Sequence, residues 1–255
     1  MSALRVPLLF LPETDSTNTY VVKHFDDLPD GMLVCAGRQT AGRGRRGRVW
    51  FSPEGVNIYA TLAVKTPGKP FLAGAVVGLA GLRLTRELVP DASTFLKWPN
   101  DIYLGTRKLA GILCEGAGVC GGALTGIAAG IGINVNQDQA ALDALDRPAV
   151  SLAAAAGRTW DLDTVRARFA ELVAEVYAVY CEDQSGLFVW WKRENRLIGR
   201  DLEFDAADGT TFAGRFADIT DEGEMVLALA DGTRRVFNCG DVRIRRESLP
   251  PTLDS

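Results

Sequence analysis

Metal and thiol chemistry have little to work with in this sequence. Its 255 residues hold one histidine, His24, which reads as a surface or capping residue beside Lys23 and Phe25. Five cysteines stand singly at 35, 114, 120, 181 and 239, so neither a disulfide framework, a zinc knuckle nor a thiol nucleophile is expected, and no metal ligands are assigned. Reduced thiols fit a cytoplasmic protein. Long apolar runs are also missing: residues 71–82 are the most apolar, and they stop at Arg83, short of the roughly 20 residues of a membrane span. The opening MSALRVPLLFLPETDS turns acidic too soon for a signal peptide. Excess basic charge is absent as well. Lys and Arg number 28 against 32 Asp and Glu, a balance of −4, so the whole chain repels nucleic acid and anionic lipid, and any basic patch must be local. There is no Walker phosphate loop, internal repeat or low-complexity tract.

What is present is an ordinary globular composition, 47% apolar and 24% charged. At roughly 150 residues per domain the length allows one large domain and a small one. Residues 6–11, 32–36, 56–64 and 95–98 read as strands alternating with helical segments, which predicts a mixed α+β domain. Asp15, Ser16, Thr17 and Asn18 offer N-cap oxygens for a first helix. Residues 71–89 are apolar on nearly every face and predict a buried helix ending at Pro90. Residues 102–136 predict an antiparallel meander with a glycine-rich turn at 116–122. Two further helices follow, at 161–179 and from Gly186 to about Leu197. Beyond Gly199, Asp208-Gly209, Glu222-Gly223 and Asp231-Gly232 each signal a hairpin, predicting a small β-barrel that docks on the larger domain. The expected division is 1–198 and 199–255.

Three segments carry chemistry. In residues 39–50, QTAGRGRRGRVW, four arginines alternate with three glycines, which no core accepts. Glycine makes ordering entropically expensive and guanidinium needs an anion, so the segment reads as a clamp that orders on an anion. A solvated loop or an RNA-binding segment are the alternatives, opposed by its single occurrence, its flanking strands and the acidic chain. The second segment, KWPND at 97–101 followed by RKLAGIL at 107–113, reads as strand, turn, strand. It is either a hairpin with charged ends or a site where Lys97, Asp101 and Lys108 converge on a charged substrate. The third, GIGINVN at 130–136, is a strand whose glycines permit close approach, without the helix start of a dinucleotide fingerprint.

Together with DSTN at 15–18, these motifs resemble, in order, the biotin protein ligase family, in the form without an N-terminal DNA-binding domain, since the first motif begins at Asp15. The resemblance implies an α+β catalytic domain of the class II synthetase-like kind and a C-terminal SH3-like barrel. It further implies that ATP and Mg²⁺ activate biotin as biotinyl-5′-AMP, and that a lysine of a biotin carboxyl carrier protein then displaces AMP. A homodimer through a sheet edge is expected from it too. Two anions must meet in the first step, and a unit pair at 4 Å repels by about 4 kcal/mol at an effective dielectric of 20.

Residue by residue, the resemblance places Ser16, Thr17, Asn18 and Gln39 on biotin's ring, with Gly42, Arg43, Gly44 and Arg45 in the loop that orders over it. Lys108 bridges biotin carboxylate and phosphate, and Gly111 lets the ligand lie against backbone. Arg43, Arg48, Trp50, Asn134 and Arg245 fall to ATP, with Trp50 near the adenine. Arg45, Lys108, Asp101 and Lys97 are the catalytic candidates, Asp101 by orienting the carrier amine. A lipoate or octanoyl transferase shares the fold, without the dense glycine–arginine loop or KWPND expected in it. Trp98, Trp160, Trp190 and Trp191 are expected in packing, not on the ligand.

Overall fold

A computed structural model describes residues 6–65, 69–121, 123–145 and 147–243. Seven strands form the main sheet: β1 (Leu8–Thr14), β2 (Leu33–Gln39), β3 (Ile58–Val64), β4 (Thr94–Lys97), β5 (Asp101–Leu104), β6 (Arg107–Cys120) and β7 (Ala123–Ile133). Their order is β1-β2-β3-β7-β6-β5-β4, with β1 parallel to β2 and every other pair antiparallel.

Helices cover the two faces. On one lies α2 (Pro70–Leu88), so apolar that it is buried nearly all round. Gly74, Gly78 and Gly81 form a bare stripe along it. A Cβ on Gly81 would stand 2.8 Å from Ile102 Cδ1 and 3.1 Å from Ile131 Cδ1, so a larger residue would have to push these side chains aside for the helix to lie this close to the sheet. The long α5 (Leu162–Glu182) packs on α2 through Val165, Phe169, Leu172 and Val176, the spacing read from the sequence. Asp161 caps α5 by accepting from Thr164 N at 2.8 Å. Its successor α6 (Gln184–Glu194) is capped by Asp183. On the other face, α1 (Thr17–Lys23) closes a small second core of Val21, Phe25, Leu28 and Val34.

Two local expectations are corrected. The hydroxyls and amide at 16–18 do not cap α1: Ser16 sits at the N-cap position without a side-chain bond to the helix. The glycine-rich stretch turns only at its far end: β6 runs on through Gly116 and Ala117, paired with Ile127 and Gly126, and the chain reverses at Gly121, with φ 59°. Backbone pairing along 14 residues outweighs the local flexibility of glycine.

The C-terminal part is a second, five-stranded antiparallel sheet. It comprises β8 (Asp201–Ala206), β9 (Thr211–Ile219), β10 (Met225–Leu229), β11 (Arg234–Phe237) and β12 (Gly240–Arg243), ordered β11-β10-β9-β8-β12. The three Asp/Glu-Gly pairs lie in its turns, each glycine with φ between 79° and 88°. This sheet docks, as its thin core requires. Trp98 is buried between the sheets, donates to Gly223 O at 2.9 Å and packs on Phe204 and Phe216. Two short helices, α3 (Gln139–Asp143) and α4 (Leu152–Ala156), complete the fold.

Candidate active site

At the end of β7, between α1 and the arginine–glycine segment, lies a small chamber of about 50 Å³. Its walls are wired to one another. Gln39 Oε1 accepts from Thr17 N at 2.9 Å and from the Thr17 hydroxyl at 3.2 Å, while Gln39 Nε2 donates to Ser52 Oγ at 2.9 Å. The Thr61 hydroxyl, 2.8 Å from that of Thr17, donates to Asn18 Oδ1 at 2.7 Å. Asn18 Nδ2 donates in turn to Leu113 O and to Glu115 Oε2. Thr17 and Asn18, the first two residues of α1, thus spend their side chains on the chamber wall. Gly130 is obligatory here, since a Cβ would overlap Asn18.

The arginine–glycine segment closes over this chamber as a tight hairpin. Arg43 and Val49 form a bridge, Trp50 N donates to Gly42 O at 2.9 Å, and a 3₁₀ turn spans Arg45–Gly47. Ordering so many guanidiniums calls for acceptors, and the protein supplies its own. Arg43 bonds Glu115 Oε2 at 2.9 Å and Thr19, Arg45 donates to Asn100 Oδ1 at 3.0 Å, and Arg46 donates at 2.8 Å to Ala207 O, in the turn between β8 and β9. Gly42 is forced by the loop itself, since a Cβ would meet Trp50 O. Arg46 sits at φ 59°, a left-handed conformation uncommon for a side-chain-bearing residue.

A neck joins the chamber to a larger cleft of about 610 Å³, and Gly44, Arg45, Trp50, Asn100 and Lys108 line both. Lys108 Nζ stands 2.7 Å from Asp101 Oδ1 and 5.3 Å above the Trp50 ring. Gly111 and Gly132 leave room for that indole, whose Nε1 is buried without a partner. That N–H faces the β7 backbone at Gly132, where a Cβ would overlap it. Asn100, read from sequence only as a turn former, is the neck's keystone. It holds Arg45 with its oxygen and donates to Ile112 O at 2.8 Å with its amide.

The cleft's apolar wall comes from Val49, Phe51, Leu142, Leu145 and Ala149. Its charged wall sets Arg45, Arg46, Arg48, Lys108 and Arg147 against Asp101 and Asp241. Asn134 also lines it, with its amide donating to Val150 O at 3.1 Å. Lys97 does not: it is buried behind the wall, 3.2 Å from Asp241 Oδ1 and 5.0 Å from the Tyr103 ring centre. Burial works to raise the Asp241 pKa, yet Lys97 and Arg147 hold it below the usual carboxylate value. Burial pushes the thiols of Cys35 and Cys114 up to about 12, which makes them inert.

The structure thus gathers Ser16, Thr17, Asn18, Gln39, Arg43 and Gly111 at the chamber, and Arg48, Asp101 and Asn134 at the cleft. Gly42 and Lys97 stand behind the walls. Arg245 lies outside the described residues. Asn100, Arg147 and Asp241 were not singled out by the sequence, the last two because their partners are distant in the chain. Among the described residues no three Asp, Glu, His or Cys side chains cluster to hold a metal, and both cleft carboxylates are already paired with cations. A resident metal cage therefore does not fit.

A polar chamber thus opens through a cationic neck into a larger cleft. The model of the biotin/lipoate A/B protein ligase family matches residues 10–134. The biotin--[acetyl-CoA-carboxylase] ligase of Paracoccus denitrificans is 33% identical over 243 residues, covering 91% of this chain and 98% of that protein. The bifunctional ligase/repressor of Salmonella typhimurium is 33% identical over 241 residues, 92% of this chain and 73% of its own length. The biotin protein ligase of Aquifex aeolicus in complex with biotin and ATP has the same fold, with a TM-score of 0.76 at 24% identity over 94% of this chain and 99% of that one. The chain belongs to the biotin protein ligase family.

Proposed function

We propose that this protein is an ATP-dependent ligase that activates biotin as biotinyl-5′-AMP and transfers it to a lysine of a biotin carboxyl carrier protein. One observation carries the reading: Arg45, Lys108, Asn100 and Trp50 stand at the junction of the two cavities, so ligands held in each would meet there. The inner chamber, lined by amide and hydroxyl groups, suits biotin's neutral ureido ring. The cleft, apolar on one wall and cationic on the other, suits a nucleotide. Mg²⁺ enters as the companion of the ATP phosphates, since no cage for it stands among the described residues.

At the neck, Lys108 and Arg45 lower the repulsion between the biotin carboxylate and the α-phosphate. Asp101 holds the Lys108 ammonium at 2.7 Å, and its role in this reading is to orient an incoming amine once Lys108 turns to the substrate. Closure of the arginine–glycine hairpin, anchored at Glu115 and Asn100, excludes water from the mixed anhydride. The free thiols at Cys35, Cys114, Cys181 and Cys239 fit a reducing cytoplasm. No helix among the described residues is long and apolar enough to cross a membrane. We further propose a homodimer, which sedimentation at micromolar concentration tests.

The deciding assay mixes the protein with ATP, Mg²⁺ and labelled biotin, then adds a carrier domain. Biotin-dependent pyrophosphate release followed by a label on one carrier lysine is expected. Activation of octanoate or lipoate in place of biotin overturns the substrate.

A further inference from the structure

The cleft contains a cation that belongs to none of the sequence motifs. Arg147, in the loop beyond α3, sets Nη1 2.5 Å from Asp241 Oδ2. Asp241, on β12 of the second sheet, also faces Lys97 Nζ at 3.2 Å and Arg48 Nη1 at 3.9 Å. One carboxylate therefore serves three cations. They differ in freedom: the Lys97 side chain is 4% exposed, whereas those of Arg48 and Arg147 are 53% and 42% exposed and line the cleft. Asp241 suffices to neutralise the buried lysine and leaves the two guanidiniums with positive charge to offer. Among the described residues that line the cleft, five cations face two carboxylates, an imbalance that suits a ligand with several negative charges.

The direction in which such a ligand lies follows from the neck. If biotin occupies the chamber, the phosphorus it attacks has to stand beside Arg45 and Lys108, where chamber and cleft meet. The remaining phosphates then extend away from the chamber. Arg45 is held there by Asn100, Lys108 by Asp101, and Arg46 by Ala207 O. Among the described residues, the cleft cations away from the neck that share one carboxylate, and so keep charge to offer the far phosphates, are Arg48 and Arg147.

We infer that Arg147, together with Arg48, binds the β- and γ-phosphates of ATP and takes up the charge of the departing pyrophosphate, with Asp241 holding the guanidinium in place until the phosphates displace it. This inference rests on the adenylation reading. In that step a biotin carboxylate oxygen bonds to the α-phosphorus, the bond from that phosphorus to the β-phosphate oxygen breaks, and its electron pair leaves with pyrophosphate. A guanidinium fork presents paired N–H donors to such oxygens, which a single ammonium does not.

Arg147→Gln and Arg147→Lys test the assignment, with Arg107→Gln, from the exposed Arg107–Asp143 pair, as the control. In Arg147→Gln the KM for MgATP and the inhibition constant of pyrophosphate are expected to rise about tenfold. Arg147→Lys restores part of that loss and Arg107→Gln stays at the wild-type value. AMP inhibition and biotin uptake by calorimetry stay within twofold, because neither ligand carries β- or γ-phosphates. Pyrophosphate inhibition within twofold of wild type overturns the inference, as does AMP binding that weakens as much as pyrophosphate binding. If the wild-type protein releases no pyrophosphate with biotin, the adenylation reading fails. Direct titration of wild type and Arg147→Gln with pyrophosphate then still decides the role of Arg147.

Discussion

Around the inner chamber the polar side chains are bonded mainly to one another within a neutral network, from Ser52 through Gln39, Thr17 and Thr61 to Asn18. Around the outer cleft the bonds are ionic, and they tie the wall to distant parts of the chain: Lys97 and Asp241 are 144 residues apart. The difference separates two ways of preparing for a ligand. A network of neutral hydrogen bonds fixes shape before binding and has little to rearrange. Internal ion pairs keep cations charged and pointed at the cleft, but a ligand must compete for them. The neck, where Arg45 is held by an amide and Lys108 by a carboxylate, uses both devices.

The sharpest break in this contrast is expected at the neck. In Lys108→Ala the site loses the cation shared by the two cavities, and biotin-dependent pyrophosphate exchange should fall by about 10³-fold, the scale of removing one preorganised charge from a reacting centre. Exchange at the wild-type rate would show that Lys108 serves only to pair Asp101. Next in size is Arg45→Gly, which cuts the hairpin from Asn100. Adenylate should still form but leave about 10- to 100-fold faster, the scale of one charge-assisted contact. Labelling of lysines on bystander proteins, absent with wild type, is the readout. Release no faster than wild type would place the seal elsewhere, at Glu115.

Within the chamber, Gly130→Ala sharpens the claim that shape is fixed in advance. The new Cβ overlaps the Asn18 amide, which is tied to Leu113, Glu115 and Thr61 and cannot simply swing aside. Overpacking of this kind costs about 3 kcal/mol at the upper end of its range. Both a lower Tm and weakened biotin uptake are expected. A drop in Tm with unchanged biotin uptake would uncouple the network from the ligand.

How much of this was legible in the sequence follows the same division. The chamber and neck come from contiguous motifs, so residue types that make no sense as core, the alternating Gly and Arg at 42–48 and the KWPND turn, located them. Family resemblance then supplied roles that spacing alone does not contain. The sequence did not reveal that the side chains of Thr17 and Asn18 wire the chamber and do not cap α1, because both uses ask for the same short polar side chains at a helix start. Gly116 and Gly118 looked like a turn for a similar reason, since the flexibility of glycine is local information and the β6–β7 ladder that overrides it is not. Arg147 and Asp241 lay beyond reach altogether: each sits in an unremarked stretch, and only docking of the second sheet brings them together.

That docking sets the smallest effect, and pH exposes it. Lys97 and Arg147 depress the Asp241 pKa against the opposing pull of burial. A carboxylate whose folded pKa is lowered stabilises the fold fully above its unfolded value near 4, and loses that contribution as the pH falls through the folded pKa. Asp241→Asn removes the charge at every pH while keeping the shape, leaving the buried Lys97 ammonium short of its counter-ion. At neutral pH the variant should be less stable by about 1–2 kcal/mol, the scale of an uncompensated part-buried polar group. In acid the gap should close, because the protonated carboxyl of Asp241 is then as neutral as the amide that replaces it. Denaturant midpoints of the two proteins measured from pH 7 down to pH 3 check this. A gap that stays constant across that range would mean that Asp241 acts through shape, not charge, and that the ionic rule drawn for the cleft does not extend to the junction between the sheets.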